Sequence, residues 1–135
     1  MKKQVILFVI LVVVICGFSG LFFYRANRTN MEFAKEAQIH FRYGDKNISQ
    51  ILTAHETEEV KSIFTNKKMY RDNPSCGFST DVSIRFNKAQ TFCIACDTCP
   101  VIYWREKNRY FSITEAEKEQ LYQLLESYGC SFPCL

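Results

Sequence analysis

A chain of 135 residues has room for one domain and not two, and its 47% hydrophobic content is unevenly spread. Val5–Phe23 carries no charge, and once Lys2 and Lys3 ahead of it are set aside, 15 Lys and Arg stand against 14 Asp and Glu in the remainder. A nearly neutral remainder without a Lys/Arg block excludes the phosphate-neutralising face of a nucleic-acid binder, so no nucleic-acid partner is expected.

Val5–Phe23 is 19 residues long. At about 1.5 Å per helical residue it spans about 29 Å, close to the ~30 Å hydrocarbon core of a bilayer. A core helix of so small a domain would show a polar stripe, and this run has none. Residues 1–24 therefore read as a membrane anchor. A cleaved signal has a shorter apolar core followed by an Ala-x-Ala-like site. The nearest match, Gly17-Phe18-Ser19, would leave Leu21, Phe22 and Phe23 at the new end, so the segment is expected to stay attached as a signal-anchor. Val13-Val14-Ile15-Cys16 resembles a bacterial lipoprotein signal, which implies lipidation of Cys16, but Ile15 stands where that family's peptidase takes Gly, Ala or Ser.

Charge does not orient the anchor, because Lys2 and Lys3 on one side face Arg25, Arg28 and Lys35 on the other. Cysteine usage does. Six of the seven cysteines follow the apolar run, an even number in a small domain, which fits an oxidising compartment and places the domain outside the cytoplasm.

Residues 25–36 are polar with weak periodicity and read as a juxtamembrane linker. The domain is expected over 37–135. Ala37–Tyr43 alternates apolar with polar residues and predicts a strand closed by a turn at Gly44-Asp45-Lys46-Asn47. Thr53-Ala-His-Glu56 has capping-box form ahead of Val60, Ile63 and Phe64, predicting a helix over 54–65. After a loop with an Asn73-Pro74-Ser75 turn, strict alternation of Val82, Ile84 and Phe86 predicts a strand, followed by strands at 91–97, 101–104 and 109–113. Thr114-Glu-Ala-Glu117 is a second capping box. Ala116, Leu121, Leu124, Leu125 and Tyr128 supply an apolar stripe that stops at Gly129. Strand, helix, four strands, helix predicts a two-layer α+β domain: an antiparallel sheet with both helices on one face. The Tyr and Phe side chains of the strands are expected in the core between the layers.

No catalytic signature emerges. His40 and His55 lack a Cys, Asp or Ser partner at a known spacing, and Glu115, Glu117 and Glu119 suit the dipole at the start of the last helix. Chemistry is concentrated in Cys76, Cys93, Cys96, Cys99, Cys130 and Cys134. Structural disulfides are the leading expectation for these six, because a small extracytoplasmic domain gains stability from bridges. The alternative is a zinc site built from Cys93, Cys96, Cys130 and Cys134, two short-spaced pairs able to supply a tetrahedron of thiolates. Redox exchange through Cys93-x-x-Cys96-x-x-Cys99 stays open, although such a pair prefers a helix N-terminus. The run also resembles the start of a ferredoxin motif but lacks its fourth cysteine three residues on.

An odd separation on a regular strand sends Cys93 and Cys96 to opposite faces, whereas a turn at Asp97-Thr98 before Pro100 lets Cys96 and Cys99 meet. At least two disulfides are expected, one of them tying Cys130 or Cys134 to the rest, with no bound metal. The expected partners are the membrane and a protein of the cell envelope, engaged through the sheet or the Cys76 loop by a domain that is not an enzyme.

Overall fold

The computed structural model describes residues 1–134. In chain order the elements are α1 (Lys2–Ala26), β1 (Ala37–Tyr43), β2 (Lys46–Ile51), α2 (Ala54–Phe64), β3 (Met69–Tyr70), β4 (Val82–Phe86), β5 (Gln90–Ile94), β6 (Val101–Trp104), β7 (Arg109–Ser112) and α3 (Glu115–Ser127). After α1 the strands form one antiparallel sheet, ordered β2-β1-β4-β5-β6-β7-β3. Both shorter helices cover the same face of it, as the α+β reading expects.

Both helices start where their caps dictate. Thr53 and Thr114 each accept a hydrogen bond from the backbone N–H three residues on, and Glu56 and Glu117 reach back to the Thr53 and Thr114 N–H groups, satisfying donors a helix start leaves open. Along α3, Leu121 and Leu125 are buried as expected and Tyr122 joins them, while Ala116 is exposed.

The sheet holds two strands more than the sequence pattern announces. β2 lies where a turn is expected to extend to Asn47: Lys46 already pairs with Tyr43, so the hairpin turns on Gly44 and Asp45 alone, with Gly44 at φ 57°. As an edge strand β2 is almost wholly exposed, with only Ile48 half-buried over the core, and so lacks the alternation by which a strand is recognised. β3 is two residues long and exists because β7 offers a free edge, Met69 pairing with Phe111 and Tyr70 with Tyr110.

Residues 27–36, expected as a spacer, pack onto the domain. Met31 and Ala34 are buried in the core. The Asn87 carboxamide accepts from the Lys35 and Glu36 N–H groups at 2.9 and 3.2 Å and donates to the Phe33 carbonyl at 2.8 Å. Thr29 donates its hydroxyl to the Phe64 carbonyl, accepts from Lys67 N–H at 2.8 Å and joins Lys67 through the backbone.

The core is an aromatic cluster centred on Phe64 at the end of α2. Its ring meets Phe86, Phe92 and Phe111 at centroid distances of 6.3, 5.4 and 5.5 Å, and Phe92 continues to Trp104 at 4.7 Å. Three strands, β4, β5 and β7, are thus pinned to one helical side chain, in edge-to-face and tilted pairs that add to the burial term. Phe64→Ala is expected to cost about 3–5 kcal/mol, a large share of the stability of a domain this size; urea unfolding of the variant measures it, and a loss below about 1 kcal/mol would mean that the cluster repacks freely.

Candidate interaction face

The cysteines separate onto the two sides of the sheet. β5 ends at Ile94, and the loop to β6 carries Cys96 and Cys99. Thr98 takes φ 63°, and the Asp97 carboxylate accepts from Cys99 N–H at 3.2 Å, turning the chain between the two cysteines. The turn does not bring them together. Cys99 bonds Cys76, with Cα atoms 6.1 Å apart, and Cys96 bonds Cys134, with Cα atoms 5.0 Å apart. A hydrogen bond from Cys134 N–H to the Cys96 carbonyl at 3.1 Å aligns the second pair. These bridges span 23 and 38 residues, and such loop closures restrict the unfolded chain by roughly 3 to 4 kcal/mol each.

Cys93 and Cys130, also expected as disulfide formers, are buried free thiols, and Cys16 is a third free thiol midway along α1. Parity explains Cys93. Phe92 points to the helices, so Cys93 points to the other face, between Ser83 of β4 and Tyr103 of β6. Cys130 follows α3 and is buried in the core on the helix side. The four cysteines of the zinc alternative are therefore not assembled: two are joined to each other and a third lies across the sheet. Asp97 lies within 4.8 Å of the Cys76 and Cys99 sulfurs, but those sulfurs are bonded to one another and offer no thiolate.

Burial holds both domain thiols in the neutral form. The Cys93 pKa is pushed up to about 11 by burial first and by the Glu106 carboxylate second, against the opposing pull of Arg105 and Arg85. Burial likewise pushes Cys130 up to about 11. Near neutral pH neither is a nucleophile or a ready metal ligand.

The helix-free face carries a row of side chains set by register. His40, Ser83, Cys93, Tyr103, Tyr110 and Tyr70 are successive cross-strand partners over β1, β4, β5, β6, β7 and β3. The polar end does not form a catalytic set. His40 Nε2 lies 4.0 Å from an Asp81 carboxylate oxygen that Arg42 already holds at 2.9 Å, and the Ser83 hydroxyl donates to the Thr80 carbonyl at 2.8 Å. Cys93 is two strand spacings, about 9.6 Å, from His40 along the row, too far for proton transfer. His55 is exposed in the first turn of α2. Glu115 pairs with Lys118, Glu117 with Lys67, and Glu119 accepts from Gln123.

The other end of the row is aromatic. Tyr70, Tyr110 and Tyr103 stack at 6.0 and 4.8 Å, and Phe78, from the loop that the Cys76–Cys99 bridge holds down, packs against Tyr110 and Tyr103 at 5.6 and 5.8 Å. Tyr70, Tyr103 and Phe78 remain half-exposed. These rings correct the expectation that the strand aromatics are all core: the strand Phe residues face the helices, whereas Tyr70, Tyr103 and Tyr110 face away. The odd-numbered position of Tyr103 opposite Trp104 carries that signal once β6 is known to be covered on one side only. Asp81 anchors the far end of the loop, its carbonyl accepting from Arg42 N–H at 2.7 Å.

No protein-family model matches the chain, and neither a curated protein nor a solved structure is similar to it.

Non-reducing mass spectrometry is expected to find four hydrogens missing from the fully reduced mass. In the folded chain Cys93 and Cys130 should resist alkylation near pH 8. Because their folded pKa values lie above the ordinary value of 9.0, the folded state holds the protons longer, so the stability from burying these thiols is complete below about pH 9 and is lost as pH rises towards 11. Rapid alkylation of both at pH 8 would refute their burial.

Proposed function

We propose that this is a single-pass membrane protein whose α1 stays in the bilayer as an uncleaved signal-anchor. It displays a disulfide-stabilised domain outside the cytoplasm as a binding module for a protein of the cell envelope. The aromatic row with its clamped loop carries this reading. Four rings from three strands and a loop are stacked with no helix over them among the described residues, Tyr110 buried between three half-exposed neighbours, and a covalent bridge fixes the loop that completes the patch. Rigid, half-exposed Tyr and Phe side chains bury large area on binding at little entropic cost, as protein-binding surfaces require. Two disulfides support an oxidising compartment, and the raised thiol pKa values weigh against the redox and metal alternatives.

Anchoring is expected to keep the full-length chain in the membrane fraction through carbonate and high-salt washes, since 19 apolar residues hold far more strongly than surface charge; release into either wash would remove the anchor from this reading. For the binding module, a photo-crosslinking residue at Tyr103 should yield a discrete adduct in intact membranes that Phe78→Ser weakens at least tenfold, the loss of about 1.4 kcal/mol expected when an aromatic anchor is truncated. The same label at Glu119, on α3, should yield none. An identical adduct pattern from both positions would show that the aromatic face is not the binding surface.

A further inference from the structure

The chain leaves the bilayer and enters the domain almost without a spacer. The apolar run ends at Phe23 and α1 at Ala26. Asn27 accepts a backbone hydrogen bond from Met69 of β3 at 2.8 Å, and Arg28 bridges Lys68 in antiparallel fashion. Four residues of helical rise put Asn27 about 6 Å beyond Phe23, and the headgroup layer on each side of the hydrocarbon is itself about 5–7 Å deep. Given a spanning α1, the β3 edge of the sheet sits in that layer.

The side chains at this level are basic. Lys68 and Arg28 line a cleft with Gly20, Phe23 and Tyr24 of α1, and Lys107 and Arg109 line a second with Ala26, Asn27 and Met69. Arg25 and Arg28 line a third, beside the carboxylate of Glu32. None of the five basic groups has an ion-pair partner among the described residues; the neighbouring Lys67 does, in Glu117. Aromatic rings sit beneath two of them, with Arg28 over Tyr24 at 4.6 Å and Lys107 over Trp104 at 4.2 Å. Arg28 Nη1 donates to the Asn66 carbonyl at 2.8 Å and Arg109 Nη1 to the Asn108 carbonyl at 3.0 Å, so each guanidinium keeps its charge and its remaining N–H donors for a phosphate, as does the Lys107 ammonium.

We propose that Arg25, Arg28, Lys68, Lys107 and Arg109 form a membrane-proximal rim that docks on anionic lipid headgroups of the leaflet from which α1 emerges. This rests on α1 spanning the bilayer, but not on the aromatic face binding a protein. Continuity with the anchor and complementary charge select the lipid surface as the occupant, and the docked rim sets the tilt at which the sheet stands above it.

The test uses the full chain in lipid nanodiscs of phosphatidylcholine alone or mixed with phosphatidylglycerol. Acetylation rates of individual lysines are read by mass spectrometry, with Lys46 in the β1–β2 hairpin, at the opposite edge of the sheet, as internal control. Anionic lipid is expected to slow Lys68 and Lys107 about threefold, the proton enrichment at such a surface, to leave Lys46 unchanged, and to lose this effect at high salt. Inorganic phosphate added to the neutral discs should change nothing. Equal rates for Lys68 and Lys107 in the two lipids, equal slowing of Lys46, or slowing by free phosphate would each overturn the docking. A chain that fails to enter the discs at all would overturn the anchor together with it.

Discussion

Phe64 is where the separate parts of this molecule meet. Its ring holds β4, β5 and β7 through Phe86, Phe92 and Phe111, and its carbonyl receives the hydroxyl of Thr29. The second contact matters as much as the first. Thr29 stands three residues beyond α1, so the residue that gathers the sheet also seats the segment connecting the domain to α1. Without a packed Phe64, Thr29 and Lys67 would lose the fixed backbone against which they pair, and the β3 edge would no longer be held beside α1.

The sheet divides labour between its faces for a geometric reason. Helices α2 and α3 and the segment 130–134 that follows them cover one side, where Phe41, Phe86, Phe92 and Phe111 are buried. The other side carries no helix among the described residues, and the loop preceding β4 brings Phe78 onto it. Each disulfide serves one side: Cys96–Cys134 ties the tail down beyond α3, where Phe132 stacks on Tyr122 at 4.3 Å, and Cys76–Cys99 holds the loop that brings Phe78 onto the tyrosines. A domain of this size buries too little surface to order such peripheral segments by packing alone, and covalent closure makes up the difference. Cys93 and Cys130 stay out of the exchange because burial keeps them protonated and the sheet lies between Cys93 and the helix-side sulfurs.

The short exit from α1 fixes how the domain is oriented relative to that helix. A flexible spacer would let the domain tumble about the end of α1, whereas an edge strand hydrogen-bonded to the residue just after the helix fixes which edge of the sheet lies beside it. The aromatic row then runs from that edge, at Tyr70, across the sheet.

What the sequence by itself determined was everything governed by local periodicity and capping. That covers the apolar run Val5–Phe23, the two Thr/Glu capping boxes, and the alternation of Val82, Ile84 and Phe86. These are properties of a few adjacent residues and the chain's own repeat. Tertiary structure alone decided the rest. β2 and β3 exist because β1 and β7 offer edges to pair with, and neither carries a pattern of its own. Residues 27–36 pack onto the domain because distant residues hold them: Asn87 bonds Phe33, Lys35 and Glu36, and Phe64 and Lys67 bond Thr29. Disulfide partners depend on which loop ends the sheet order brings near, so Cys99 closes on Cys76 and not on Cys96 three residues away. Whether Tyr103 or Trp104 faces the helices is a matter of which side of β6 is covered, and a strand read in isolation has two equivalent sides.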